Sequence, residues 1–163
     1  MRSFSKSLPM MLLRARESVM RHFRASLRRH GVTEQQWRVL RALTAIDQIE
    51  VSDLARATYL LAPSLSRILP DMEKRGLIVR RSDASDRRKG LVALSSRGRA
   101  LIETVSPESE EIYARITRRF GSAKLASLQT LLIELEHAMA IGDDPSPGES
   151  TARTRRRRQS PKA

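Results

Sequence analysis

Two sets of residues in this chain have types and spacings that could do chemistry. The first is Ser64, Ser66 and Arg67, followed downstream by Arg87, Arg88 and Lys89. A guanidinium such as that of Arg67 matches the paired acceptors on the edge of guanine, and the two hydroxyls can bond base edges. The run Arg87 to Lys89 suits a narrow minor groove, where negative potential concentrates. The plainer alternative is that Ser64, Ser66 and Arg67 touch only phosphate or water. The second set is Arg16 and Trp37. Arg16 falls within an apolar stripe, and a guanidinium there needs an anion, because its lost hydration costs several kcal/mol unless hydrogen bonds replace it. Either a Glu or Asp from elsewhere in the fold or the carboxylate of a ligand could serve. Trp37, the single tryptophan, is a core anchor, the flat wall of an aromatic-ligand pocket beside Arg16, or both.

These side chains need elements to hold them. Leu8, Leu12, Ala15, Val19, Phe23 and Leu27 recur at steps of three or four, which predicts an amphipathic helix over 8–28. At about 100° per residue, with Leu12 at zero, Phe23 lies near 20° and Arg16 near 40°. Thr33 followed by Gln36 makes a capping box, so a helix carrying Trp37, Val39, Leu40, Leu43 and Ile46 starts there. Ile49 to Val51 reads as extended, and Ser52 with Asp53 as the capped start of a short helix to about Thr58. Pro63 suits the first turn of the next helix, predicted to reach Arg75, with Leu65, Ile68, Leu69 and Met72 opposite its polar residues. Pro70 should kink it. Gly76 marks its stop, and Leu77 to Ser82 with Leu91 to Ser95 pair as a hairpin whose tip is Asp83 to Gly90.

Leu101, Val105, Ile112, Ile116 and Phe120 predict a long helix, with a bend or split at Pro107, and Leu125, Leu128, Leu132, Leu135 and Met139 predict another. Stripes this regular need cover that one small domain cannot supply, so a homodimer is expected.

The totals narrow the functional class. With 163 residues the chain fits one domain and a tail. Its 31 Lys and Arg against 18 Asp and Glu leave a formal charge of +13, which favours polyanionic partners, nucleic acid first. From Pro145 onward six basic residues and one acid contribute +5, so the remainder keeps +8. That terminal stretch, 143–163, reads as a disordered basic tail that either contacts phosphate or simply aids solubility. Absence of cysteine excludes disulfides, thiolate metal sites and iron–sulfur clusters, and three scattered histidines give no metal site. No nucleophile–base pair, phosphate-binding glycine loop or paired carboxylates stand at informative spacing, so neither enzyme nor cofactor is expected. No apolar run is long enough for a signal core or membrane span, which predicts a cytoplasmic protein.

The run from Thr33 to Gly98, including DASDRRKG and LVALSSRG, resembles the winged helix-turn-helix of MarR-type bacterial transcription regulators, whose wing signature falls on Asp86 and Arg88. The stretches LLRARESVMRHFR, TEQQWRVLRAL and LAPSLSRIL are similar to the homoprotocatechuate-degradation regulators within that family. The resemblance implies a mainly α fold with a small β-hairpin wing. It also implies one unit over 1–142, with a winged helix-turn-helix at about 33–96 and dimerisation helices at about 8–29 and 97–141. Asp86 would fix the shape of the wing loop. The implied activity is repression from a palindromic operator, released by an aromatic acid such as hydroxyphenylacetate bound near Arg16, with Trp37 and His22 lining the pocket. A regulator of drug-efflux or stress genes, or a nonspecific nucleic-acid-binding protein, is the alternative.

Overall fold

The structure, a computed structural model, describes residues 3–82 and 90–140. The wing-tip residues Asp86, Arg87, Arg88 and Lys89 and the terminal tail lie outside the described residues. Packing divides the chain into two units, Met1–Arg119 and Phe120–Ala163.

In the first unit a short turn at Phe4–Lys6 precedes helix α1, Leu8–Arg29. Its apolar stripe divides: Phe23 and Leu27 are buried, whereas Leu8, Leu12 and Val19 are exposed. Left-handed Gly31 then turns the chain into α2, Glu34–Ala42. The predicted capping box forms, with the Thr33 hydroxyl accepting from the Gln36 amide at 3.2 Å and the Gln36 side chain accepting from the Thr33 amide at 3.0 Å.

Strand β1, Ile49–Glu50, runs directly into α3, Val51–Thr58. Here the expected N-cap at Ser52 is corrected to Glu50. Pairing of Ile49 with Val92 and of Glu50 with Leu91 keeps both residues extended, so the first helical turn starts at Val51 and takes Ser52 inside it. Helix α4, Ala62–Lys74, begins one residue before Pro63 and runs through Pro70 as one element. The proline is exposed, so its ring meets solvent, while Leu65, Leu69 and Met72 anchor the opposite face. Strands β2, Ile78–Ser82, and β3, Gly90–Leu94, pair antiparallel, giving the sheet order β1-β3-β2. Helix α5, Ser96–Phe120, is likewise unbroken at Pro107, so the expected split does not occur.

The core is built where α2, α3 and α4 meet the sheet, from Val39, Leu40, Leu43, Leu54, Leu65, Leu69, Met72 and Val92. Each such side chain contributes about 1.5–3 kcal/mol of burial. This fixes α4 from its inner side and leaves its outer side free. In the second unit α6, Ser122–Ala140, exposes Leu128, Leu131, Leu132, Ile133 and Met139.

One polar cluster ties the end of α1 to α5. Glu108 accepts hydrogen bonds from Ser26, from Arg29 at 2.6 Å and, with the ring nitrogen as donor, from His30 at 3.0 Å. Bonds from Ser26, His30 and Arg29, in that order of weight, lower its pKa from 4.5 to about 2. A carboxylate stabilised in the folded state adds stability that is complete above its unfolded pKa and lost as pH falls toward the folded value. Stability measured by urea unfolding should therefore drop between pH 4.5 and about 2. Glu108→Gln should drop less over that window; an equal pH dependence in both proteins would remove Glu108 from the explanation.

Candidate functional site

The outer face of α4 carries the expected base-reading residues. Ser66 and Arg67 are exposed and Ser64 is half-buried, because Leu65, Leu69 and Met72 take the opposite side into the core. The Ser66 hydroxyl donates to the Ala62 carbonyl at 3.0 Å, so it meets the outside as an acceptor. Among the described residues the Arg67 guanidinium has no hydrogen-bond or carboxylate partner. Strand β2 adds two exposed cations beyond this helix, Arg80 and Arg81, of which Arg80 lies 3.5 Å from Glu73.

A second site is a cavity of about 620 Å³ lined by parts of α1, α2, the end of α3 and α5. That size falls within the range of small-molecule sites. Its apolar wall is aromatic: Phe23, Trp37, Tyr59 and Tyr113, with the Phe23 and Tyr113 ring centroids 5.0 Å apart and tilted by 58°. Trp37 is half-buried and packs against the core as well, so it is both anchor and wall. Three arginines reach the cavity, Arg16, Arg38 and Arg41, along with Glu34 and Glu110.

The arginines are not equivalent. Arg16 is exposed rather than desolvated in the stripe, and it is paired all the same: it donates to Glu34 and, at 2.9 Å, to Glu17. Arg38 donates to Glu34 at 2.9 Å and to the Thr58 carbonyl at 3.0 Å. Hydrogen bonds from Arg24, with Arg16 alongside, hold the Glu17 carboxyl below the ordinary range. Among the described residues Arg41 alone of the three cavity arginines has no carboxylate partner. An aromatic box with one uncommitted guanidinium can hold a planar ring bearing a carboxylate.

The cavity has both Arg16 and Trp37 in its lining; His22 is exposed and is not among the lining residues. Arg38, Arg41, Tyr59 and Tyr113 were not singled out from sequence. For Arg41 a signal existed, since it falls one turn after Trp37 on the same helix, whereas Arg38, the next residue, points to a neighbouring face. Tyr113 had none, because its approach to Phe23 spans most of the fold. Among the described residues no helix is long and apolar enough to cross a membrane.

Comparison with known proteins gives the same picture of the fold. A model described as the MarR family matches residues 30–89. The homoprotocatechuate degradative operon repressor of Escherichia coli is 37% identical over 147 residues, spanning 88% of this chain and 97% of the relative. The solved structure of NadR in complex with 4-hydroxyphenylacetate is 36% identical, covers 83% of this chain and 96% of its own, and superposes with a TM-score of 0.70. The repressor CouR, bound to a 23-mer DNA duplex, is 27% identical with a TM-score of 0.74, covering 81% of this chain and 94% of its own. With this architecture and this degree of identity along nearly its whole length, the chain belongs to the MarR family of transcriptional regulators.

Proposed function

We propose that this regulator is a homodimeric repressor of an operon for hydroxyphenylacetate or homoprotocatechuate breakdown, and that an aromatic carboxylate releases it from a palindromic operator. The observation that carries the effector is the aromatic cavity with Arg41 uncommitted inside it. A relative of similar identity has been solved with 4-hydroxyphenylacetate, and another bears the name of the homoprotocatechuate operon repressor, which supports the same ligand class.

In this reading the carboxylate docks on Arg41 with Arg16 nearby, and the ring lies against Trp37. Base reading falls to Ser64, Ser66 and Arg67, with Arg87, Arg88 and Lys89 on the minor groove and Asp86 shaping their loop. The exposed apolar residues of α1, Leu8, Leu12 and Val19, and those of α6 supply the dimer contacts. Analytical ultracentrifugation should find two copies per particle.

The effector reading is tested by operator release with 4-hydroxyphenylacetate and homoprotocatechuate. Arg41→Ala should weaken effector binding roughly tenfold, since a hydrogen bond to a charged group contributes about 1.5 kcal/mol. Arg16→Ala should matter less, because its guanidinium is already shared between Glu34 and Glu17. Unchanged affinity in Arg41→Ala would remove the carboxylate from this position.

A further inference from the structure

Glu34 is the most heavily committed carboxylate of the cavity wall. Its side chain is only 12% exposed. One oxygen accepts from Arg16 and Arg38, and the other accepts from Arg24 Nε at 2.8 Å. Three guanidiniums therefore converge on a single half-buried anion beside the aromatic wall. The site is preorganised for negative charge, and Glu34 provides it from within the chain.

Arg38 also ties α2 to the end of α3 within the cavity wall. While Nη2 holds Glu34, Nη1 donates to the carbonyl of Thr58, the last residue of α3. Thr58 is buried, and its hydroxyl is turned back onto the Leu54 carbonyl at 2.6 Å. The next residue, Tyr59, takes a left-handed conformation at φ 50° and ψ 38°, which a tyrosine adopts only under constraint, and it lines the cavity too. Leu60 and Leu61 follow, and α4 starts at Ala62. One planar guanidinium thus spans the wall of the cavity and the turn that leads into the outer face of α4.

We propose that Glu34 is a resident counter-ion that an effector carboxylate displaces, and that Arg38 passes the displacement to α4 through the Thr58 carbonyl. This rests on the reading of the cavity as an aromatic-acid site. A carboxylate held on Arg41 enters the same cavity as Glu34 and competes with it for Arg16 and Arg38, since an N–H that turns to the new carboxylate is lost to Glu34. The fork of Arg38 is rigid and planar, so it cannot turn to a new carboxylate and keep both present bonds. Losing the donor at Thr58 frees the strained turn at Tyr59. The ligand then favours an arrangement of α4 different from that of the empty protein, which is the differential affinity that coupling requires.

Two variants of the full-length protein separate the parts. Trp37 fluorescence reports binding of 4-hydroxyphenylacetate, and operator affinity is measured with and without saturating acid. Glu34→Gln keeps the shape and removes the charge, and should bind the acid about tenfold more tightly. Arg38→Met keeps the stem and removes the fork; its fluorescence should still titrate while the ratio of operator affinities, with and without acid, falls from the wild-type value to within about twofold of one. A wild-type ratio in Arg38→Met, loss of its titration altogether, or acid affinity within twofold of wild type in Glu34→Gln each overturns the proposal. Failure of the wild-type protein to bind any aromatic acid would instead strike the effector reading itself, and shows in the first titration.

Discussion

Arg67→Ala should lower affinity for the operator by about 1–3 kcal/mol per half-site while leaving binding to scrambled DNA nearly unchanged. The reason is positional. Leu65, Leu69 and Met72 bolt the inner side of α4 into the core, so Arg67 is presented outward on a helix that cannot roll. Lysine should not rescue the loss, because a point charge cannot reproduce the two parallel bonds of a guanidinium to guanine. Competition between operator and scrambled duplexes at fixed salt is the measurement, since affinity for both depends strongly on ionic strength. An equal loss on the two duplexes would reassign Arg67 to phosphate contact.

Gly98→Ala is expected to be the most disruptive small change in the first unit. A Cβ at this position would stand 2.1 Å from the Leu77 carbonyl oxygen and 2.8 Å from Leu94 Cδ1. The oxygen belongs to the backbone between α4 and β2, and it also accepts from the Ser95 amide at 3.3 Å. Leu94 can turn aside, but the carbonyl contact is with backbone and no side-chain rotation relieves it, so α5 must move off the sheet. Overpacking of this kind costs about 3 kcal/mol, against roughly 1 kcal/mol gained from the better helix propensity of alanine. The net loss of about 2 kcal/mol should lower the melting temperature by some 5 °C or more. Gly90→Ala is the control: its Cβ would meet only Val51 Cγ2, at 3.4 Å, and its stability should stay within about 0.5 kcal/mol of wild type. Matching melting temperatures for the two variants would contradict the close approach at Gly98.

Much of this protein could be read before its fold was known, wherever the deciding forces act within a turn or two of helix. The capping box of Thr33 and Gln36 forms as written, because both partners lie three residues apart. The polar face of α4 follows from the spacing of Leu65, Leu69 and Met72. Arg16 is the intermediate case. Its place in the stripe of α1 demanded an anion, and an anion is there, yet nothing local could name Glu34, which lies 18 residues away on another helix. The start of α3 was misread for the same reason. Ser52 has the right chemistry for a cap, but pairing of Ile49 and Glu50 with β3 sets the boundary two residues earlier.

What the sequence determined by itself is therefore the set of helices, the outward face of α4, the basic character and the need for an anion at Arg16. The tertiary structure decided how the charges are shared. Only packing of α1 against α2 could spend Arg16, Arg24 and Arg38 on one carboxylate, leave Arg41 uncommitted beside Trp37, and set the Arg38 fork on the Thr58 carbonyl. Periodicity specifies which face a residue occupies. Which of several like charges finds a partner depends on distances between faces of different elements, and those exist only once the core has closed.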